Sequence, residues 1–192
     1  AIAGSQKGFM LPPGLAILGV SQKAITAMES AKLPRTFFDF RDMMNTNATG
    51  GFPYTPPVQL IRGLNHAIDM LENEGLENVF IRHRRIADGV RLAVKAWGLE
   101  LCAASPDVYS DSVSAIRTPE GFDANQIVAR AASEYDMAFG IGLGEVAGKV
   151  FRIGHLGMLS DALMLSGLAT AEMVMVDLGL DIKLGSGVAA AQ

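Results

Sequence analysis

The residues most suited to covalent chemistry lie at the start of the chain. Gly4-Ser5-Gln6-Lys7-Gly8 surrounds Lys7 with small side chains, and Phe9, Met10 and Leu11 follow at once. Small neighbours let a second group approach the amine, and apolar ones strip it of water, which disfavours its charged form. Only the neutral amine attacks a carbonyl, so this is a setting for a Schiff-base lysine. A surface lysine whose stem lies along apolar groups satisfies the same pattern.

Arg152 is the second candidate, in Gly148-Lys149-Val150-Phe151-Arg152-Ile153-Gly154-His155-Leu156-Gly157. On a strand it points away from Phe151 and Ile153, and the glycines leave room for a small ligand. Its planar fork suits a carboxylate, whether that of a substrate or of a structural ion pair. The third is Phe52-Pro53-Tyr54-Thr55-Pro56, where Thr55 is predicted to cap a helix with Pro56 at its first position. A hydroxyl beside free N–H groups at a helix start can receive a phosphate or can cap and do nothing more.

Other patterns fail on their surroundings. Gly142-Leu143-Gly144-Glu145-Val146-Ala147 matches G-x-G-x-x-A, but an extended segment follows it where a dinucleotide site needs a helix. Gly148-Lys149 lacks the spacing and hydroxyl of a Walker loop, so a turn between strands is predicted. His66, His83 and His155 have no metal-ligand spacing, and no metal is expected. Cys102, predicted within a strand, reads as packing rather than as a nucleophile.

The elements that must position these residues follow from periodicity and punctuation. Ser21 is predicted to cap a helix to about Leu33, with Thr36–Arg41 extended and Asn45–Gly51 a loop. The next helix carries Leu60, Leu64, Ala67, Ile68 and Leu71 on one stripe and stops at Gly75. Another spans Leu76 to Trp97, with Val79, His83, Ile86, Val90 and Val94 inward. Strands are predicted at 99–103, 112–117, 137–141 and 149–153. Asp123 and Ser160 begin helices that end near Tyr135 and Leu178, and the tail from Gly185 is predicted to fray. This order implies helices on one face of a largely antiparallel sheet, with a boundary near residues 75–80.

Composition narrows the class. The chain has 192 residues, 49% of them hydrophobic and 19% charged, so a folded core is expected. Sixteen basic and 20 acidic residues give −4, which supplies no general attraction to nucleic acid or anionic membrane. One cysteine excludes an internal disulfide and favours a reducing compartment. The prolines at 12 and 13 break the nearest apolar run, so neither a signal peptide nor a membrane span is expected and a cytoplasmic location is.

The run from Gly4 to Gly14, with Lys7 inside it, resembles the cofactor-lysine segment of class V pyridoxal-phosphate aminotransferases. Within them it is most similar to the serine–, aspartate– and alanine–glyoxylate branch. The resemblance continues through Phe52–Pro57, Gly75-Leu76-Glu77-Asn78-Val79 and Gly148–Gly157, and covers essentially the whole chain. It implies an α/β protein of aminotransferase fold type I: residues 1–75 end a large pyridoxal-phosphate domain, and 76–192 form a small two-layer domain with a bridging helix. It implies that Lys7 forms the Schiff base with pyridoxal 5'-phosphate and then shuttles a proton. Gln6 would contact the cofactor phosphate, Thr55 would reach the phosphate in a neighbouring subunit, and Arg152 would hold the substrate carboxylate. Phe52 stands where some relatives have tyrosine, so that phosphate-binding hydroxyl comes from Tyr54 or is absent.

The implied reaction moves an amino group from a small amino acid, serine or aspartate rather than alanine, to glyoxylate, in a homodimer or higher homo-oligomer. The cofactor lysine lies near mid-chain in this family, so the residues are expected to form the C-terminal half of a longer polypeptide. Two alternatives stay open: a non-catalytic dimerisation module, and another class V enzyme such as a cysteine desulfurase, against which Cys102 on a strand argues.

Overall fold

A computed structural model describes residues 1–192, which divide into two compact units, Ala1–Asn73 and Glu74–Gln192. The first opens with an antiparallel hairpin, β1 (Ile2–Gly4) and β2 (Ala16–Leu18), in the register Ile2↔Leu18, Ala3↔Ile17 and Gly4↔Ala16. Helix α1 (Gln22–Glu29) starts where Ser21 accepts a hydrogen bond from Ala24 N at 3.3 Å. It stops four residues short of Leu33, because the Ser30 hydroxyl and N–H both close back onto Ala27 O.

The region read as extended chain and loop holds a helix instead, α2 (Phe40–Asn47). Asp39 keeps an extended backbone and accepts from Arg41 N at 3.0 Å, so an aspartate cap starts a helix inside the phenylalanine run. Helix α3 (Val58–Glu74) also departs from expectation, since Thr55 does not cap it. Pro57 bars helical backbone at Pro56, and the helix opens only after both prolines.

The second unit begins with α4 (Leu76–Ala96), entered through Gly75 at φ 83°. Its sheet contains β3 (Glu100–Leu101), β4 (Val113–Arg117), β5 (Gly140–Ile141) and β6 (Val150–Gly154), in the order β3-β4-β6-β5 and antiparallel throughout. Helices α5 (Asn125–Tyr135) and α6 (Asp161–Asp177) complete the layer with α4. Ile86, Val90, Val94 and Trp97 meet Ile116, Phe151 and Ile153 of the sheet and Ile127, Leu168 and Met175 of the other helices in one core. β3 and β5 are shorter than their apolar runs predict, two residues each. Cys102 lies one residue past β3, half-buried, with its N–H still on Ala115 O at 2.8 Å.

The tail is not frayed. It forms α7 (Ser186–Ala191), held by the buried carboxylate of Glu172. Trp97 Nε1 donates to Glu172 Oε1 at 2.8 Å, and the backbone N–H groups of Gly185, Gly187 and Val188 donate to the same carboxylate. No helix is long and apolar enough to cross a membrane.

Candidate functional site

Within the first unit, Lys7 sits on the turn that leaves β1. Lys7 N donates to Gly4 O at 3.2 Å, and Met10 N closes back on Lys7 O at 2.9 Å with Met10 at φ 58°. The whole turn hangs on Ser5, which is fully buried. Its N–H donates to Leu15 O at 3.0 Å, its hydroxyl donates to Pro12 O at 2.7 Å, and it accepts from Leu15 N at 3.1 Å. Lys7, Gln6 and Gly8 are exposed, so residues 9–11 do not bury the amine within this chain. Leu11 instead lies against Gly63 of α3, and Gly14 against Leu60.

Thr55 and Tyr54 belong to a different wall of the same unit. Together with Leu15, Ile25, Phe37 and Phe40 they line a largely apolar pocket of about 530 Å³, to which Lys7 and Gln6 do not contribute. Phe37, at φ 69°, stacks on the Tyr54 ring with centroids 4.6 Å apart. Aromatic rings stacked with this offset hold the Phe52–Pro57 loop in place.

Within the second unit, Arg152 stands on β6 opposite Ala115 of β4 and Gly140 of β5. It faces away from Phe151 and Ile153, which are buried in the core, as strand alternation requires. Its Nε donates to Ile141 O at 2.8 Å, and its two terminal nitrogens have no partner. An internal ion pair therefore does not account for it. The Gly142–Ala147 stretch is a loop with a single 3-10 turn, Gly144–Val146, that leads into β6, with no α-helix to receive a dinucleotide.

Several residues that the sequence reading passed over fix β6 and the loop after it. His155 is fully buried, with Nδ1 3.0 Å from Asp111 O and Nε2 2.9 Å from Ser114 Oγ. Burial pushes its imidazole below the ordinary histidine range, and Arg91 adds to that, against the opposing pull of Asp111. Gly157 is gripped from both sides: Arg82 donates to its carbonyl at 2.7 Å, and its N–H donates to His83 Nε2 at 3.0 Å. Arg82 is itself forked onto Glu74 at 2.6 and 2.9 Å, and that hydrogen-bonded pair holds the Glu74 carboxyl below its usual range. His83 and His155 stand as isolated histidines in the sequence, because Gly157, which His83 grips, and Ser114 and Asp111, which hold His155, lie more than 40 residues away from them.

No family model matches the chain. Over 192 residues it is 71% identical to an L-aspartate–glyoxylate aminotransferase of Paracoccus denitrificans, covering all of this chain and 48% of that protein. It is 57% identical to a serine–glyoxylate aminotransferase of Hyphomicrobium methylovorum, covering 99% of this chain and 47% of the relative. Among solved structures, the pyridoxamine–pyruvate aminotransferase of Mesorhizobium loti matches with a TM-score of 0.90 and 36% identity, over 99% of this chain and 50% of that one. The chain thus spans about half the length of the curated relatives it matches.

Proposed function

We propose, because this chain belongs to the class V aminotransferases, that it is the C-terminal half of an enzyme that transfers an amino group from a small amino acid to glyoxylate. The products are glycine and a 2-oxo acid. Serine or aspartate is the donor, and the relative named for aspartate supports the second. The observation that carries this reading is the free guanidinium fork of Arg152, anchored at Nε and open at both terminal nitrogens. Such a fork accepts the two oxygens of a carboxylate in parallel, which orients an amino or 2-oxo acid by the group every such substrate shares.

Lys7 fits the anchoring of pyridoxal 5'-phosphate, since its amine is exposed on a turn held rigid by a buried serine. The bound cofactor would supply the electron sink for the reaction. Lys7 would hold it and, once released, carry the proton at the substrate α-carbon. Gln6, exposed beside Lys7, would meet a phosphate oxygen. Thr55 and Tyr54, on the separate pocket wall, would serve the phosphate in a partner subunit, which makes the enzyme a homodimer or larger.

The test is the full-length protein with Lys7→Ala. The unsubstituted enzyme is expected to carry a visible chromophore that borohydride reduces onto the protein, and the variant is expected to lose it. A cofactor still reducible onto the Lys7→Ala protein would overturn the assignment.

A further inference from the structure

The glycine facing Arg152 has no backbone reason to be a glycine. Gly140 does not adopt a positive φ, so any L-residue could take its conformation. The neighbouring Gly142 is different: a β-carbon there would collide with the carbonyl of Val146 across the turn, so that glycine is required by the chain itself. At Gly140 the three atoms nearest to an added β-carbon all belong to one side chain. The β-carbon would lie 3.1 Å from Arg152 Nε, 3.2 Å from Arg152 Cβ and 3.4 Å from Arg152 Nη2. The arginine therefore lies flat over the space that a side chain at position 140 would fill.

The adjacent carbonyl completes the seat. Ile141 O accepts from Nε at 2.8 Å, which uses the one donor on the inner side of the guanidinium and leaves the outer two nitrogens free. Gly140 and Ile141 form the whole of β5, and both pair with β6 at Arg152 and Phe151. A two-residue strand contributes little to the sheet, but it supplies both the clearance and the anchor for one arginine.

We propose that Gly140 and the Ile141 carbonyl are positioning residues that seat the Arg152 fork for the substrate carboxylate. The proposal rests on the reading of Arg152 as the carboxylate-binding residue. An added methyl at position 140 pushes the guanidinium off Ile141 O and misdirects both free nitrogens; with Arg152 Cβ only 3.2 Å away and fixed to β6, it also asks β5 and β6 to part by a few tenths of an ångström.

Steady-state kinetics on the full-length holoenzyme test this, with propionate as a competitive monocarboxylate inhibitor. Gly167→Ala, on α6 of the same unit, is the control, because a β-carbon there meets nothing within 4 Å and its φ is not positive. Gly140→Ala is expected to raise the glyoxylate KM and the propionate inhibition constant roughly tenfold, with smaller change in kcat, none in cofactor affinity and a modest fall in Tm. Gly167→Ala should leave all of these within twofold. Arg152→Lys combined with Gly140→Ala should lose no more than Arg152→Lys alone, since lysine has no Nε to seat.

If Arg152→Ala itself leaves both constants unchanged, the reading beneath the proposal fails. If Arg152→Ala weakens carboxylates but Gly140→Ala behaves like Gly167→Ala, the seat is overturned. Additive losses in the double variant overturn it equally, and that comparison holds even if Gly140→Ala lowers Tm.

Discussion

The two units hold their candidate residues on very different supports. In the first, only Ser5 and Ala67 are buried, while Leu33 is 83% and Phe38 75% exposed. In the second, a single apolar core runs through three helices and the sheet, and Trp97 with Glu172 and Ser114 with His155 are paired inside it. Arg152 thus rests on a platform that is complete within the chain. Lys7 rests on a turn whose one interior anchor is a serine hydroxyl. Apolar area removed from water is the main stabilising term in folding, so the second unit should be far more resistant to opening than the first.

Amide hydrogen exchange on the 192-residue chain breaks or sharpens that contrast most directly. Amides of α4, β4, β6 and α6 are expected to exchange only through global unfolding, and those of α1, α2 and the lysine turn at least roughly a hundredfold faster. Equal protection in both units would mean that the first is stabilised by something other than burial.

The next largest effect concerns the latch inside the second unit. Glu172→Ala removes the acceptor for Trp97 Nε1 and for three backbone N–H groups, leaving buried donors unpaired. A loss of about 3 kcal/mol in denaturant unfolding is expected. Gly187→Ala should act in the same direction, because its β-carbon would press on Trp97 and Glu172. If α7 exchanges its amides as freely in the unsubstituted protein as in Glu172→Ala, the latch is not what orders the tail.

How far these supports could be read from sequence follows the range of the contacts. Elements set by nearby residues were legible: the Ser21 and Ser160 caps, the long α4, and the alternation that turns Arg152 away from the core. Helix α2 was missed because three phenylalanines within five residues suggest a strand, while its start depends on the single Asp39 cap. The α7 tail was missed because Gly- and Ala-rich sequence carries no amphipathic stripe, and its stability comes from a carboxylate 13 to 16 residues earlier. The same limit applies at the sites. Lys7, Thr55 and Arg152 stood out by type and spacing, but Ser5, Gly140 and His155 matter through contacts that only the fold creates.

Ser5→Ala probes the weaker unit. It leaves Leu15 N and Pro12 O without their partner in an otherwise thin interior, at a cost of about 1–2 kcal/mol. In the full-length enzyme the effect should reach Lys7, seen as slower formation of the borohydride-reducible chromophore. Gly50→Ala is a poor control because Gly50 has φ 76°, whereas Gly8→Ala meets no neighbour and should leave the turn intact. A chromophore that forms at the unsubstituted rate in Ser5→Ala would show that the serine does not position the lysine.

The smallest expected effect is a pH dependence from the second unit. His155 is held neutral: its Nδ1–H donates to Asp111 O, and its Nε2 accepts from the Ser114 hydroxyl. Burial lowers its proton affinity relative to an unfolded chain, where the value is about 6.5. Between the lowered native value and about 6.5 the unfolded state binds the extra proton, so stability rises with pH across that window. The contribution is complete above about pH 6.5 and is lost as pH falls through the native value. Asp111 and Glu74 titrate in a lower window, because their arginine partners keep both carboxyls below the usual range. Tm of the chain measured from pH 7.5 to 2.5 should therefore show one step that His155→Asn abolishes and a lower one, below about pH 4.5, that it leaves. Persistence of the upper step in His155→Asn would assign it to another group and remove the buried imidazole from the account of how β4 and β6 are held.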